Sequence, residues 1–219
     1  MRTALKKSKD SARGRKPRSD QQTALSPADW IDAATDFLIN NNINSLDIPY
    51  LCRRLGVTKG SFYWHFEGRV ELLKAILDDW RQRMTSDVNS RAERSANTVE
   101  SALQYLLGLI RRPRPTRRGA IERSVREWAR TDPLTRASVV EVDQMRLAFF
   151  EALFRRHGLP DREAQLRAYA AYALMMGDSI LKETIELPCP PEDYVGLIVR
   201  LLLGQTEERP LERGVRATR

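Results

Sequence analysis

The chain has 219 residues, a formal net charge of +8 and 30% charged residues, enough for one or two domains with a sizeable core. No apolar run approaches a membrane span, and the basic N-terminus lacks the apolar segment of a secretory signal. Cys52 and Cys189, the only cysteines, match no disulfide or zinc spacing, so a reducing cytoplasm is the expected compartment.

The charge is concentrated at the start. Residues 1–18 hold eight Lys or Arg against one acid, Asp10, and the other 201 residues balance at +1. Residues 1–25 therefore read as a basic arm, disordered alone. Its Arg13-Gly14-Arg15-Lys16-Pro17 run is close to the Arg-Gly-Arg-Pro core of a minor-groove hook. Arg13 and Arg15 are candidate DNA contacts; a solvated tail is the alternative.

Ser26, Pro27 and Asp29 predict a helix start with a reciprocal cap, followed by Trp30, Ala34, Phe37 and Leu38 at helical spacing. Asn40-Asn41-Asn42 predicts its end, since Asn tolerates left-handed backbone and its side chain competes for backbone hydrogen bonds. Asp47 caps a second helix with Ile48, Leu51, Cys52 and Leu55 buried. Gly56 makes a tight turn, Thr58 caps a third helix, and Phe62 and Phe66 anchor that helix inward. This is the pattern of a helix-turn-helix, with Lys59, Ser61, Tyr63, Trp64 and His65 left to meet something else.

A longer fourth helix follows with Leu72, Leu73, Ile76, Leu77 and Trp80 on one face. Further apolar stripes run Val99 to Ile110, Ile121 to Trp128 and Leu134 to Leu153, the last through Ala137, Val140, Met145 and Phe149. The prolines at 113 and 115 break the chain after the first of these. Asp161 is read as the cap of a helix carrying Leu166, Tyr169, Ala173, Met176, Ile180 and Leu181. A final helix carries Tyr194, Leu197, Ile198, Leu201 and Leu202 and ends at Gly204, leaving a polar tail over 205–219. Nothing alternates like a strand, and nothing repeats. The predicted fold is all-α, about nine helices. A three-helix DNA-binding domain over 26–68 joins a helical body over 69–204.

The run Leu55-Gly56-Val57-Thr58-Lys59-Gly60-Ser61-Phe62-Tyr63-Trp64-His65-Phe66, followed by Arg69 and Leu72-Leu73, resembles the tetracycline-repressor (TetR) family of bacterial transcription regulators. The resemblance covers residues 26–77; beyond 85 only helix count and order match. It implies that Thr58 caps the recognition helix and reaches a phosphate. It also implies that Lys59, Gly60 and Ser61 face the major groove, with Lys59 a donor to guanine. Tyr63 and Arg69, a position where the family usually has Lys, would meet phosphates, and His65 either a phosphate or a base edge. Trp64 either packs on sugars or seals the domain. Asp47 and Pro49 stand where the family often offers Ser, Thr or Arg, so Asp47 is read only as a cap. Cys52 replaces a usual Ala.

The resemblance further implies a homodimer on double-stranded DNA, formed by the last two helices, with Ala170, Ala173, Gly177, Leu197, Ile198 and Leu201 at the contact. Small neighbours such as Ala168 and Ala171 would also allow close approach. It implies a small-molecule effector pocket in the body, with Tyr105, Trp128, Met145, Phe149, Tyr172 and Met176 as candidates. Asp178 could be buried and pair with a cation or ligand. The expected function is a ligand-released repressor on a palindromic operator, the alternative an effector-independent binder or activator. No metal, cofactor or membrane is expected. Two histidines, no metal-ligand constellation, no Gly-rich phosphate loop and no nucleophile beside a histidine argue against an enzyme.

Overall fold

The computed structural model describes residues 25–111 and 117–205, and every regular element among them is helical. The N-terminal unit comprises α1 (Pro27–Asn40), a 3-10 turn at Ile43–Ser45, α2 (Ile48–Leu55) and α3 (Lys59–Tyr63). Next, α4 (Arg69–Arg81) passes through a π turn at Gln82–Ser86 into α5 (Asp87–Ser95) without interruption. The body continues with α6 (Val99–Gly108), a 3-10 turn at Leu109–Arg111, α7 (Arg117–Trp128), α8 (Pro133–Arg156), α9 (Asp161–Leu181) and α10 (Pro191–Leu203). Because α4 and α5 are one rod, the ten α segments make nine rods among the described residues. The expectations for the basic arm, for the prolines at 113 and 115, and for the tail beyond 205 lie outside those residues.

Local chemistry explains most boundaries. Ser26 N–H and Oγ both donate to Asp29 Oδ2 at 2.7 Å, which fastens the first turn of α1. The Asn run does end α1, but not through left-handed backbone. Asn41 is extended at φ −137°, and its Nδ2 donates to Phe37 O at 2.8 Å, closing the last turn with a side chain. Asp47 accepts from Tyr50 N at 2.6 Å and is the cap the sequence predicts; Asp132 accepts from Thr135 N at 2.6 Å and caps α8 in the same way. Asp161 is not a cap: it occupies the first turn of α9 behind Pro160 and accepts instead from Arg155 Nε at 2.8 Å.

Two apolar clusters hold the molecule. The first joins α1–α4 to Ile121, Val125 and Trp128 of α7 and to Val139 and Val142 of α8. The second gathers Leu103, Leu106 and Leu107 of α6 with Phe150 and Phe154 of α8, the alanines of α9, and Val199 and Leu202 of α10. The predicted stripe of α8 is displaced. Leu134, Ala137 and Val140 face outward, and the buried face runs Thr135, Val139, Val142, Arg146, Phe150. A buried Thr and a buried Arg interrupt the hydropathy of that face. In α9 the small residues Ala164, Ala168 and Ala171 pack inward and let α9 lie close on α8, while Leu166, Tyr169, Ile180 and Leu181 are exposed. Ala168 and Ala171 thus serve the chain's own core, not a contact with another copy.

A buried ionic network occupies the seam between the clusters. Arg146 Nη1 and Nη2 donate to the two oxygens of Glu122 at 3.0 Å each, and Arg126 Nε donates to Glu122 Oε1 at 2.8 Å. Trp80 Nε1 donates to the same carboxylate at 3.2 Å. Arg126 Nη2 also reaches Asp143 Oδ1 at 2.6 Å, and the Tyr172 hydroxyl donates to that oxygen at 2.6 Å. Helices α4, α7, α8 and α9 therefore meet through one set of hydrogen bonds. Burial alone would push the Glu122 and Asp143 carboxyls up; the guanidinium groups of Arg146 and Arg126 more than offset this, and both end below their ordinary range. Burial pushes the Tyr172 hydroxyl up to about 12.

Removing one member of such a network strands a buried charge. Arg146→Leu is expected to destabilise the fold by about 3–5 kcal/mol in urea unfolding. Because the folded carboxyls sit below their unfolded values, their contribution is complete above the ordinary values of 4.5 and 3.8 and is lost as pH falls through the lower folded ones. Urea midpoints measured from pH 7 to pH 3 should fall less steeply in Arg146→Leu than in the native chain.

Candidate DNA-binding site

The turn between α2 and α3 is built by Gly56, which takes left-handed backbone at φ 69°, ψ 29°. Val57 N–H donates to Cys52 O at 3.0 Å and Gly56 N–H to Arg53 O at 3.3 Å, so the last carbonyls of α2 are satisfied as the chain reverses. A five-residue helix is too short to stand alone. Its stability comes from Phe62, fully buried edge-on against Trp30 at 5.3 Å between ring centres and beside Phe66 at 5.5 Å. With Phe62 and Phe66 inward, Lys59, Gly60, Tyr63 and Trp64 are forced outward.

Trp64 is 86% exposed and Tyr63 56% exposed, the two aromatic rings standing on the outer face of the unit. Trp64 therefore does not seal the domain. Ser61 and His65 are half-buried on the flanks of that face. Thr58 holds the cap position of α3 in extended backbone, but its hydroxyl makes no cap hydrogen bond and is exposed. The expected side-chain cap is thus not formed, which leaves the hydroxyl for another acceptor. A Cβ on Gly60 would lie 3.6 Å from Thr58 Oγ1, an ordinary contact, so the glycine is not required by the fold itself.

Arg69 is engaged in a way the sequence did not disclose. Its Nε donates to Leu46 O at 3.0 Å and Nη2 to Ile43 O at 2.6 Å. The first residue of α4 thus clamps the turn that precedes α2. Arg69 thereby couples the α4 rod to the helix-turn-helix, a role additional to the phosphate contact expected of it. Sequence spacing could not reveal this, because the accepting groups are backbone carbonyls 23 and 26 residues earlier.

The body contains a cavity of about 510 Å³. Of the six candidate pocket residues, Phe149 and Met176 line it. Trp128 and Met145 belong to the first apolar cluster, Tyr105 packs against the second, and the Tyr172 hydroxyl is committed to the ionic network. The polar lining that sequence reasoning missed, Glu122, Arg126 and Arg146, lies on helices read only for their apolar stripes. Asp178 is buried and paired with Arg111, whose Nε donates to Asp178 Oδ2 at 2.9 Å; its expected cation is internal. Of the candidate dimer residues, Ala170, Ala173, Leu197 and Leu201 are exposed, whereas Gly177 and Ile198 are half-buried. Arg13 and Arg15 lie outside the described residues.

The packing separates two roles within α3. Phe62→Ala is expected to lose about 3–5 kcal/mol of stability. Trp64→Ala should leave the thermal midpoint unchanged, because its ring touches so little of the fold. Arg69→Ala should lower the midpoint by removing the donor to Leu46 O and one of the two donors to Ile43 O, which keeps Leu46 N–H, at a cost of about 1–3 kcal/mol, and Arg69→Lys should recover only part. Differential scanning calorimetry of the three sites distinguishes these outcomes.

Residues 31–76 match the family model described as bacterial regulatory proteins, tetR family. The HTH-type transcriptional regulator SrpR of Pseudomonas putida is 38% identical over 47 residues, 22% of this chain and 22% of that protein. An HTH-type transcriptional repressor of Mycobacterium tuberculosis is 26% identical over 118 residues, 47% of this chain and 45% of that protein. The chain thus spans less than half the length of these relatives. The crystal structure of the transcriptional regulator FadR from Bacillus subtilis in complex with stearoyl-CoA superposes with a TM-score of 0.61 over 83% of this chain and all of that one; at 12% identity this is a likeness of fold. The helix-turn-helix over residues 31–76 is, in sequence, that of the tetR family of bacterial regulatory proteins.

Proposed function

We propose that this chain is a homodimeric, sequence-specific DNA-binding regulator of transcription, a repressor released from a palindromic operator by a small molecule bound in the body. The outward face of α3 carries this reading. Thr58, Lys59, Gly60 and Tyr63 stand exposed on a rigidly seated helix, dimensioned for the major groove. Lys59 donates to guanine O6 or N7, Ser61 to a neighbouring base edge, and Thr58, Tyr63 and His65 to phosphates. Trp64 lies along the sugar-phosphate backbone, and the basic arm with Arg13 and Arg15 adds counterion release or a minor-groove contact.

One such helix reads few bases, so a second copy is needed for specificity. The exposed apolar face of α9 and α10 supports it. Tyr169 is 68% exposed and Leu201 57%, with Leu166, Leu174 and Leu197 on the same two helices and Ala170 and Ala173 between them. Large apolar side chains exposed along both helices are the kind of surface that marks a protein contact.

The cavity supports an effector, and the fold supplies a route by which occupancy changes the DNA-binding unit. Met84, in the π turn, and Val88 line the cavity, and Arg146 Nη2 donates to Met84 O at 3.4 Å. The same rod begins at Arg69, which grips the turn before α2. A π turn inside a helix is a frequent site of functional bending. A ligand that favours one position of this rod shifts the spacing of the two recognition helices and so the population able to fit the operator.

Selection of bound duplexes from a random pool should return a two-fold symmetric site with steep salt dependence; an unsymmetrical or absent consensus overturns the reading. Lys59→Ala should relax preference at one position of each half-site, by about 1–3 kcal/mol. Tyr169→Glu with Leu201→Glu should sediment as a monomer and bind the selected site far more weakly while retaining the helical circular dichroism of the native chain.

A further inference from the structure

The charges around the cavity specify what it admits. Its floor is buried: Leu106, Phe150, Glu122 and Arg146 are all nearly inaccessible, with Phe149 and Met176 beside them. The floor's charged groups are mutually satisfied. Arg146 is bound to Glu122 and Tyr172, and Arg126 to Glu122 and Asp143. Two guanidinium groups against two carboxylates leave no net charge there. An anion placed on the floor would face Glu122 and would have to displace it; a cation would have to displace an arginine. The floor therefore accepts apolar matter.

The mouth differs. Arg123 is paired with Glu183 at 3.2 Å and Arg130 with Glu127 at 3.7 Å, both pairs exposed. Lys182, at the C-terminal end of α9, is half-buried; its Nζ donates to Ile110 O at 3.0 Å and meets no carboxylate among the described residues. An ammonium with a single carbonyl partner has two further N–H donors and an unneutralised charge. It stands at the rim of an apolar chamber of about 510 Å³, within the range of sites that enclose drug-sized molecules.

We propose that the cavity takes an amphipathic anion, a carboxylate or acyl-linked phosphate on an apolar body, with the apolar part against Phe149, Phe150 and Met176 and the head group on Lys182. This rests on the reading of the cavity as an effector site and adds the ligand's charge, polarity and direction of entry. Orientation follows from the two ends: the neutral floor takes the tail, and the free ammonium holds the head at the mouth.

The test uses the full chain and four ten-carbon probes in isothermal titration: decanoate, decanoyl-coenzyme A, decan-1-ol and decylamine. Decanoate and decanoyl-coenzyme A separate a free acid from an acyl thioester as the source of the anion. At least one of the two is expected to bind about tenfold tighter than the alcohol, and decylamine more weakly than the alcohol. Lys182→Met should erase the advantage of the anion, move the affinity for decan-1-ol by less than twofold and retain the native thermal transition; Lys182→Arg should restore the advantage. Equal affinity of anion and alcohol overturns the proposal, as does an anion preference that survives in folded Lys182→Met. If no probe binds while the chain still selects a palindromic duplex, the proposed ligand is wrong and the DNA-binding function stands. If the anion binds in a Lys182-dependent way and no duplex is selected, the ligand assignment stands and the DNA-binding function fails.

Discussion

Four helices converge on the hydrogen-bonded network centred on the Glu122 carboxylate, and the geometry of the body follows from keeping that charge satisfied. Trp80 of α4, Arg126 from its own helix α7, and Arg146 of α8 all donate to it, while Tyr172 of α9 joins through Asp143 and both arginines. An apolar plug of equal volume would hold helices together at least as well. What a hydrogen-bonded charge cluster adds is directionality, since each donor must approach along a particular line. The cluster thereby sets the relative positions of α4, α7 and α8, and with them the width and the neutral floor of the cavity. It also brings a guanidinium to the Met84 carbonyl, so the π turn in the long rod is braced from the same point.

The rod is the mechanical link. Its first residue, Arg69, is bound to carbonyls that precede α2; Trp80, near the end of α4, is bound to the network; and Met84 and Val88 form cavity wall. Within the helix, Thr85 is buried with its hydroxyl unpartnered, beside the widened turn. The unsatisfied hydroxyl lies inside the segment that abandons α geometry, the weakest point of the rod's hydrogen bonding.

The recognition helix shows how stability and exposure are divided over consecutive residues. Phe62 and Phe66 give α3 its seat; Tyr63 and Trp64 between them contribute little to the core and remain available. In α9 the division is between sizes: alanines face the core and larger apolar side chains face out. Both arrangements place apolar surface in water at a cost to solubility.

The N-terminal unit was legible from residues alone because its determinants are local. A capping pair, a glycine at the turn, and apolar spacing over one or two turns act between neighbours in sequence, and they predicted α1 to α4 and the outward side chains of α3. The pocket and the inner face of α8 were not legible. There hydropathy misleads, because Arg146 and Thr135 are buried by virtue of partners such as Glu122 and Asp132 that only the folded chain brings to them. Arg69 is the same case in miniature: as a lone residue it is a free cation, and tertiary contact converts it into a clamp on two distant carbonyls. The sequence by itself determined the all-helical fold and the surface offered by Tyr63 and Trp64. Only the tertiary structure decided which charges are spent internally and which, like Lys182, remain available, since that depends on distances across helices and not on spacing along the chain.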